Sequence, residues 1–176
     1  NEENNLWYCE EIAATNPCFT ADTKVWTADG PKTFGELAAS GGADVSVLTQ
    51  IETGKTAYRT MRAPRKTQTR AKLLRVTFEN GENVRCTPDH RFFLADGSEA
   101  EARNLKVEDK VLGLCSKHHR VTRAEPDGVE DVFCGTVEET GRFFVQLGDN
   151  DGVLVRHCSE QPLAPNNACL LGSFNL

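Results

Sequence analysis

Gly81-Glu82-Asn83-Val84-Arg85-Cys86-Thr87-Pro88-Asp89-His90-Arg91-Phe92 holds a strand between two turns and the start of another strand. Lys72 to Phe78 reads as a strand, and Glu79-Asn80-Gly81-Glu82 has the composition of a hairpin turn. Asn83 to Cys86 is then the returning strand. Thr87-Pro88-Asp89-His90 carries proline at its second position and reads as a four-residue turn. Such a turn can bring the heads of Thr87 and His90 to one site; the plain alternative is a turn bearing an ordinary surface histidine. Arg91-Phe92-Phe93-Leu94 follows as a strand that stops at Ala95-Asp96-Gly97.

Outward from this stretch the same grammar repeats. Thr23 to Thr27 alternates and ends at Ala28-Asp29-Gly30-Pro31. Val45 to Thr49, Lys110 to Leu114, Val129 to Phe133, Phe143 to Leu147 and Val153 to Val155 add short strands. Only Thr33–Ala39 and Glu99–Leu105 carry helix signals, each of about two turns. The expectation is an all-β domain with one or two short helices. Residues 115–128 are polar and charged and read as a surface linker between two blocks of strands. The basic run Arg62, Arg65, Lys66, Arg70 and Lys72 reads as a solvated loop.

The chain has 176 residues, one domain with tails, and its net charge of −6 argues against nucleic acid as a main partner. No apolar run approaches the roughly 20 residues of a membrane span, and polar Asn1 to Asn5 show no secretory signal. Seven irregularly spaced cysteines favour a reducing, cytoplasmic setting over a disulfide framework. Cys115 with His118 and His119 gives C-x-x-H-H, but no second pair is spaced to complete a zinc site, so no metal is expected.

Cysteine can break a peptide bond from within, its thiol attacking the preceding carbonyl to give a thioester. Cys18 would attack the Pro17 carbonyl. A histidine can protonate the departing nitrogen, and hydroxyl or backbone donors can hold the developing oxyanion. Pro17, with its restricted geometry, is expected to affect that step.

Four ordered blocks resemble those of inteins, and together they cover most of the chain. Cys18-Phe19-Thr20-Ala21-Asp22-Thr23-Lys24-Val25 is similar to the opening block, C-L-x-x-D-T-x-V. Gly81 to Phe92 resembles the second block with its T-x-x-H signature. Val129 to Phe144 resembles a later block, and Gly152-Val153-Leu154-Val155 leads into the last. The resemblance implies the Hint fold, a horseshoe of short strands with approximate twofold symmetry. It also implies autocatalytic splicing of residues 18–157 from flanks 1–17 and 158–176. In that scheme Cys18 makes an N-to-S acyl shift assisted by Thr87 and His90, and Cys158 takes the acyl group. The last inserted residue, normally asparagine, cyclises to cut its own peptide bond, and the flanks join. The flanking segments are the substrate, so the expectation is a monomer with no cofactor, nucleic acid or membrane partner. A non-splicing, autoprocessing Hint or bacterial intein-like cleavage domain is the alternative. The 115–128 segment is too short for a homing endonuclease, which implies a mini-intein.

Joined, the flanks read N-P-C-S-E-Q-P-L, which resembles the active-site segment of a ribonucleotide reductase large subunit. That resemblance implies host roles for Asn16, Cys158, Glu160 and, farther on, Cys169. Two departures from the intein pattern stand out. Arg156-His157 occupies the place of His-Asn, and an imidazole cannot form the succinimide that an asparagine amide can. Cys134 stands where aspartate is commoner and Gly141 where histidine is frequent. Cys134 can tune the thiols or carry a proton, or be a small buried hydrophobe.

Overall fold

The computed structural model describes residues 18–157. The expectations for Asn16, Pro17, Cys158, Glu160 and Cys169 fall outside the described residues. The elements in chain order are β1 (Phe19–Thr20), β2 (Lys24–Thr27), β3 (Gly30–Thr33), α1 (Phe34–Ala39), β4 (Val45–Glu52), β5 (Lys55–Phe78), β6 (Asn83–Cys86), β7 (Arg91–Phe93), β8 (Glu99–Glu101), β9 (Lys110–Leu112), β10 (His118–Val137), β11 (Arg142–Leu147) and β12 (Asp151–Arg156). The all-β expectation holds. The strands run β8-β7-β12-β11-β2-β4-β5-β6-β1-β10-β9, with β3 on β2 and a second pairing of β5 with β10.

Turn chemistry sets the local order. The β5–β6 hairpin turns at Gly81, whose φ of 85° lies in the left-handed region that favours glycine. Its ladder pairs Val76 with Val84 and Leu74 with Cys86. Thr33 caps α1: its hydroxyl accepts from the Glu36 N–H at 3.1 Å, while Glu36 Oε2 accepts from the Thr33 N–H at 2.7 Å. Those bonds hold the Glu36 carboxyl below its ordinary range. The cap aims Phe34 and Leu37 into the core.

Three sequence-based expectations are corrected. Residues 118–128 are not a linker but the first half of β10, whose ladder with β5 runs from Val121–Phe78 to Val137–Met61. Residues 122–130 are largely exposed, so the apolar alternation of a half-buried strand is missing there. Backbone pairing and charge hold them instead: Asp127 pairs with Arg75 and Arg85, and Glu130 with Arg85. The basic run belongs to β5, not to a loop, with Arg62 paired to Glu138 and Lys66 to Asp131 across the ladder. Glu99–Leu105 forms no α-helix. Glu99–Glu101 is a strand paired with β7, and Ala102–Asn104 is a single 3₁₀ turn whose Ala102 N–H donates to His90 O at 2.7 Å. Edge pairing with Arg91–Phe93 outweighs a two-turn helical preference that short segments cannot sustain alone.

The core centres on aromatic side chains. Phe19 lies 5.8 Å from Phe34 and 6.0 Å from Phe143 between ring centroids, with Phe34 and Phe143 6.1 Å apart. All three are fully buried. Among the described residues no helix is long and apolar enough to cross a membrane. Phe34→Ala should cost about 3–5 kcal/mol in urea unfolding, against about 1 kcal/mol for loss of the cap in Thr33→Ala. Similar losses for the two would contradict this placement of the core.

Candidate active site

β1 is only two residues long, yet it is paired on both sides. Phe19 pairs with Cys86 of β6 and with Phe133 of β10, and Thr20 with Val132. Continued one step, that register sets Cys18 opposite Cys134. Both are fully buried in one apolar cluster with Ala71, Leu73 and Val132.

Thr87 braces Cys18 through two bonds. The Cys18 N–H donates to Thr87 Oγ1 at 3.0 Å, and the Thr87 N–H donates to Cys18 O at 3.0 Å. The nitrogen held by the hydroxyl is that of the Pro17–Cys18 peptide bond, the leaving group of an attack by the Cys18 sulfur. The expected turn is present, with the His90 N–H donating to Thr87 O at 3.1 Å. The alternative of a surface histidine is overturned: His90 is fully buried, its ring 4.0 Å from that of Phe19 and 6.1 Å from that of Phe92. Cys18, Thr87, His90 and Cys134 therefore gather around β1.

Cys86 is one strand away, but burial, with the charge of Asp89 added, pushes its thiol far up. It remains protonated and is a poor nucleophile. Cys134 Sγ lies 3.6 Å from Gly135 O, a weak contact.

The other end of the element is held by the same β10. The His157 N–H donates to Gly141 O at 2.9 Å, and the Val137 N–H donates to His157 Nδ1 at 2.8 Å. Cys134 and Val137 are three residues apart, about 10 Å along a strand, so one strand touches Cys18 and His157 alike. Gly141 has φ 65°, and a Cβ built there would lie 3.2 Å from His157 Nε2. The two departures at 141 and 157 are thus neighbours, and the absence of a side chain at 141 leaves room for the imidazole. Burial, then the charge of Arg156, pushes the His157 pKa down from its ordinary value. Nδ1 accepts a bond, so the proton of the neutral ring sits on Nε2.

Arg156 turns away from the chain end. Its Nε and Nη2 each lie 2.7 Å from a carboxylate oxygen of Glu99, a two-pronged pair, and its guanidinium stacks 5.2 Å from the Phe93 ring centroid. Opposite it, Arg142 stacks 5.3 Å from the same ring. β12 also pairs with β7 at Val155–Phe92, two residues from His90.

Residues 115–119 form no common site. Cys115 and His118 are exposed, while His119 is buried with Nε2 3.2 Å from Asp151 Oδ1. Among the described residues, no three His, Cys, Asp or Glu side chains gather as metal ligands.

The chain is 35% identical over 115 residues to a DNA gyrase polypeptide of Synechocystis sp., covering 64% of this chain and 10% of that protein. It is 27% identical over 106 residues to the ribonucleoside-diphosphate reductase large subunit of Invertebrate iridescent virus 6, covering 57% and 10%. The chain thus spans about a tenth of the length of each. Among solved structures, the Ssp DnaB mini-intein variant M86 superposes with a TM-score of 0.72 at 17% identity, over 84% of this chain and 98% of that one. A bacterial intein-like domain from Clostridium thermocellum superposes at 0.68 with 26% identity, over 80% and 98%. No protein-family model matches. The expected horseshoe of strands is the fold these structures share.

The His157 geometry makes a titration prediction. The unfolded imidazole binds its proton at the ordinary value of 6.5 and the folded one only at lower pH. Stability contributed by neutral His157 is therefore present above 6.5 and lost as pH falls below it. By NMR, His157 should titrate below 6.5, and the Val137 amide signal should move with it as Nδ1 gains its proton. A midpoint at or above 6.5 would contradict the buried, hydrogen-bonded placement.

Proposed function

We propose, from the premise that residues 18–157 are a Hint-type autoprocessing domain of the mini-intein kind, that the chain is a protein-splicing precursor halted at its second cleavage. Residues 1–17 and 158–176 are its two flanks. The carrying observation is the grip of Thr87 on the Cys18 nitrogen, 3.0 Å from hydroxyl to N–H. That contact holds the scissile bond beside its own nucleophile.

The reaction begins with Cys18 Sγ attacking the Pro17 carbonyl carbon. The C–S bond forms, the C–N bond breaks, and the thiol proton ends on the freed Cys18 amine. Thr87 fixes the nitrogen, and buried His90 is the proton donor toward it, in a site whose low dielectric strengthens each polar contact. Cys134, opposite Cys18, tunes that thiol. Cys158 accepts the acyl group in thioester exchange. Release of the element then needs cleavage after residue 157, and the His157 imidazole has no amide with which to cyclise. Arg156, paired with Glu99, supplies none either. The chain is therefore trapped before its flanks can separate from the domain. Each chain acts once, on itself, so no cofactor or partner is needed. The reducing cytoplasm keeps Cys18 and Cys158 as thiols.

The host is a ribonucleotide reductase large subunit. The supporting observation is the N-P-C-S-E-Q-P-L string restored on joining, with Asn16, Cys158 and Glu160 in it and Cys169 beyond. The 115-residue match to gyrase is longer than both flanks together, 36 residues, so it draws on residues 18–157. Matches to parts of two unlike enzymes fit an inserted element. The likeness to a bacterial intein-like domain favours, as a second reading, cleavage without rejoining.

Intact mass after incubation with a small thiol separates these readings. The chain as it stands should lose residues 1–17, slowly, and show no 36-residue joined product. His157→Asn should release the 140-residue element and that product; cleavage at both ends without ligation would favour the second reading. Cys18→Ala should abolish N-terminal cleavage. His90→Ala should slow it by about 100-fold or more, the range of general acid catalysis; unchanged kinetics would remove His90 from the mechanism.

A further inference from the structure

Thr67 lies in the middle of β5, in a stretch whose charge reads as loop, and no block resemblance reaches it. In the β5–β10 ladder Val132 pairs with Gln68 and Phe133 with Lys66, so Thr67 is the extra residue of a β-bulge. A bulge bends its strand and re-aims a side chain that regular pleating would point elsewhere. Here the half-buried Thr67 places Oγ1 2.6 Å from Cys18 Sγ and 3.3 Å from Val132 O. The surrounding cluster of Ala71, Leu73 and Val132 is apolar, an environment that disfavours a thiolate.

We infer that Thr67 is a catalytic residue of the first acyl shift, its hydroxyl turning from the Val132 carbonyl to donate to the Cys18 sulfur as the thiol gives up its proton. In the resting state the hydroxyl donates to Val132 O and leaves a lone pair to accept the S–H, which holds the sulfur in place. When negative charge develops on sulfur, rotation about the Cα–Cβ bond of Thr67 brings the O–H to it. The bonds made and broken are those of the acyl shift itself: C–S forms at the Pro17 carbonyl, C–N breaks, and the thiol proton is delivered to the Cys18 nitrogen. Thr67 returns to the Val132 carbonyl once the thioester has formed and the sulfur is neutral. With Thr87 on the nitrogen and Thr67 on the sulfur, the two atoms of Cys18 that exchange bonds each have a hydroxyl within reach.

This inference rests on Cys18 being the nucleophile, and the test separates the two. Thiol-induced loss of residues 1–17 is followed by intact mass across pH 6 to 9 in the full chain, alongside thermal unfolding of each variant. A hydrogen bond to a charged group is worth enough that Thr67→Val should slow cleavage about 10- to 100-fold near neutral pH. It should also move the midpoint of the rate profile up by about one pH unit. Thr67→Ser keeps the hydroxyl and should stay within about threefold of the parent, with the parent profile. A valine variant of parent rate and profile overturns the role of Thr67. So does a serine variant that folds yet cleaves as slowly as valine, because the methyl group would then be what matters. If valine prevents folding, the serine rate and profile decide alone. Continued cleavage in Cys18→Ala overturns the nucleophile assignment instead, whatever the Thr67 variants do.

Discussion

A two-residue strand, gripped on both sides, is the constraint on which the arrangement depends. β1 is too short to persist alone, and it is held because Phe19 and Thr20 lie between β6 and β10. Phe19 adds the anchor, its ring packed among Phe34, Phe143 and His90 in the core. Cys18, one residue earlier, has little freedom left. Its sulfur and its peptide nitrogen are delivered to Thr67 and Thr87 by the same packing that stabilises the fold. Folding energy in the core is thereby used to fix a reacting residue, the physical content of preorganisation.

β10 makes the same economy at longer range. Its regular partner is β5, but its register is broken repeatedly between Val121 and Thr136. The shifts bend the strand and let residues three apart serve different ends of the element: Cys134 beside Cys18, Val137 on His157. The two ends of a 140-residue insertion must meet for the flanks to be exchanged. A bent strand running past both achieves this without large motion. At its far end β12 is tied by Arg156 to Glu99 and Phe93, whose strand pairs lead back to the His90 turn.

The short elements were legible because their signals are local. Glu79–Glu82 and Thr87–His90 turn where their Gly, Pro and Asn chemistry says they must, and Phe34 and Leu37 show the spacing of a helix with one buried face. The long ribbon was not legible. Residues 118–128 and the basic run 62–72 look like solvated chain because their side chains are solvated; only ladder hydrogen bonds and cross-strand charge pairs make them strands. Glu99–Glu101 was misread for a related reason, since an edge strand three residues long takes its conformation from the partner it finds.

The residue sequence alone determined the positions of the seams, the chemistry available there, and the mismatch at the second one. Cys18, the Thr87–His90 turn and the imidazole at 157 are facts of covalent structure, and a side chain without an amide cannot cyclise in any fold. Tertiary structure decided which groups meet. It buried His90, set Cys134 across from Cys18, placed Gly141 beside the His157 ring, and turned Thr67 toward the sulfur. Each of these depends on strand register between segments tens of residues apart. A one-residue shift reverses every side chain of a strand, and composition carries no record of the bulge that produces it.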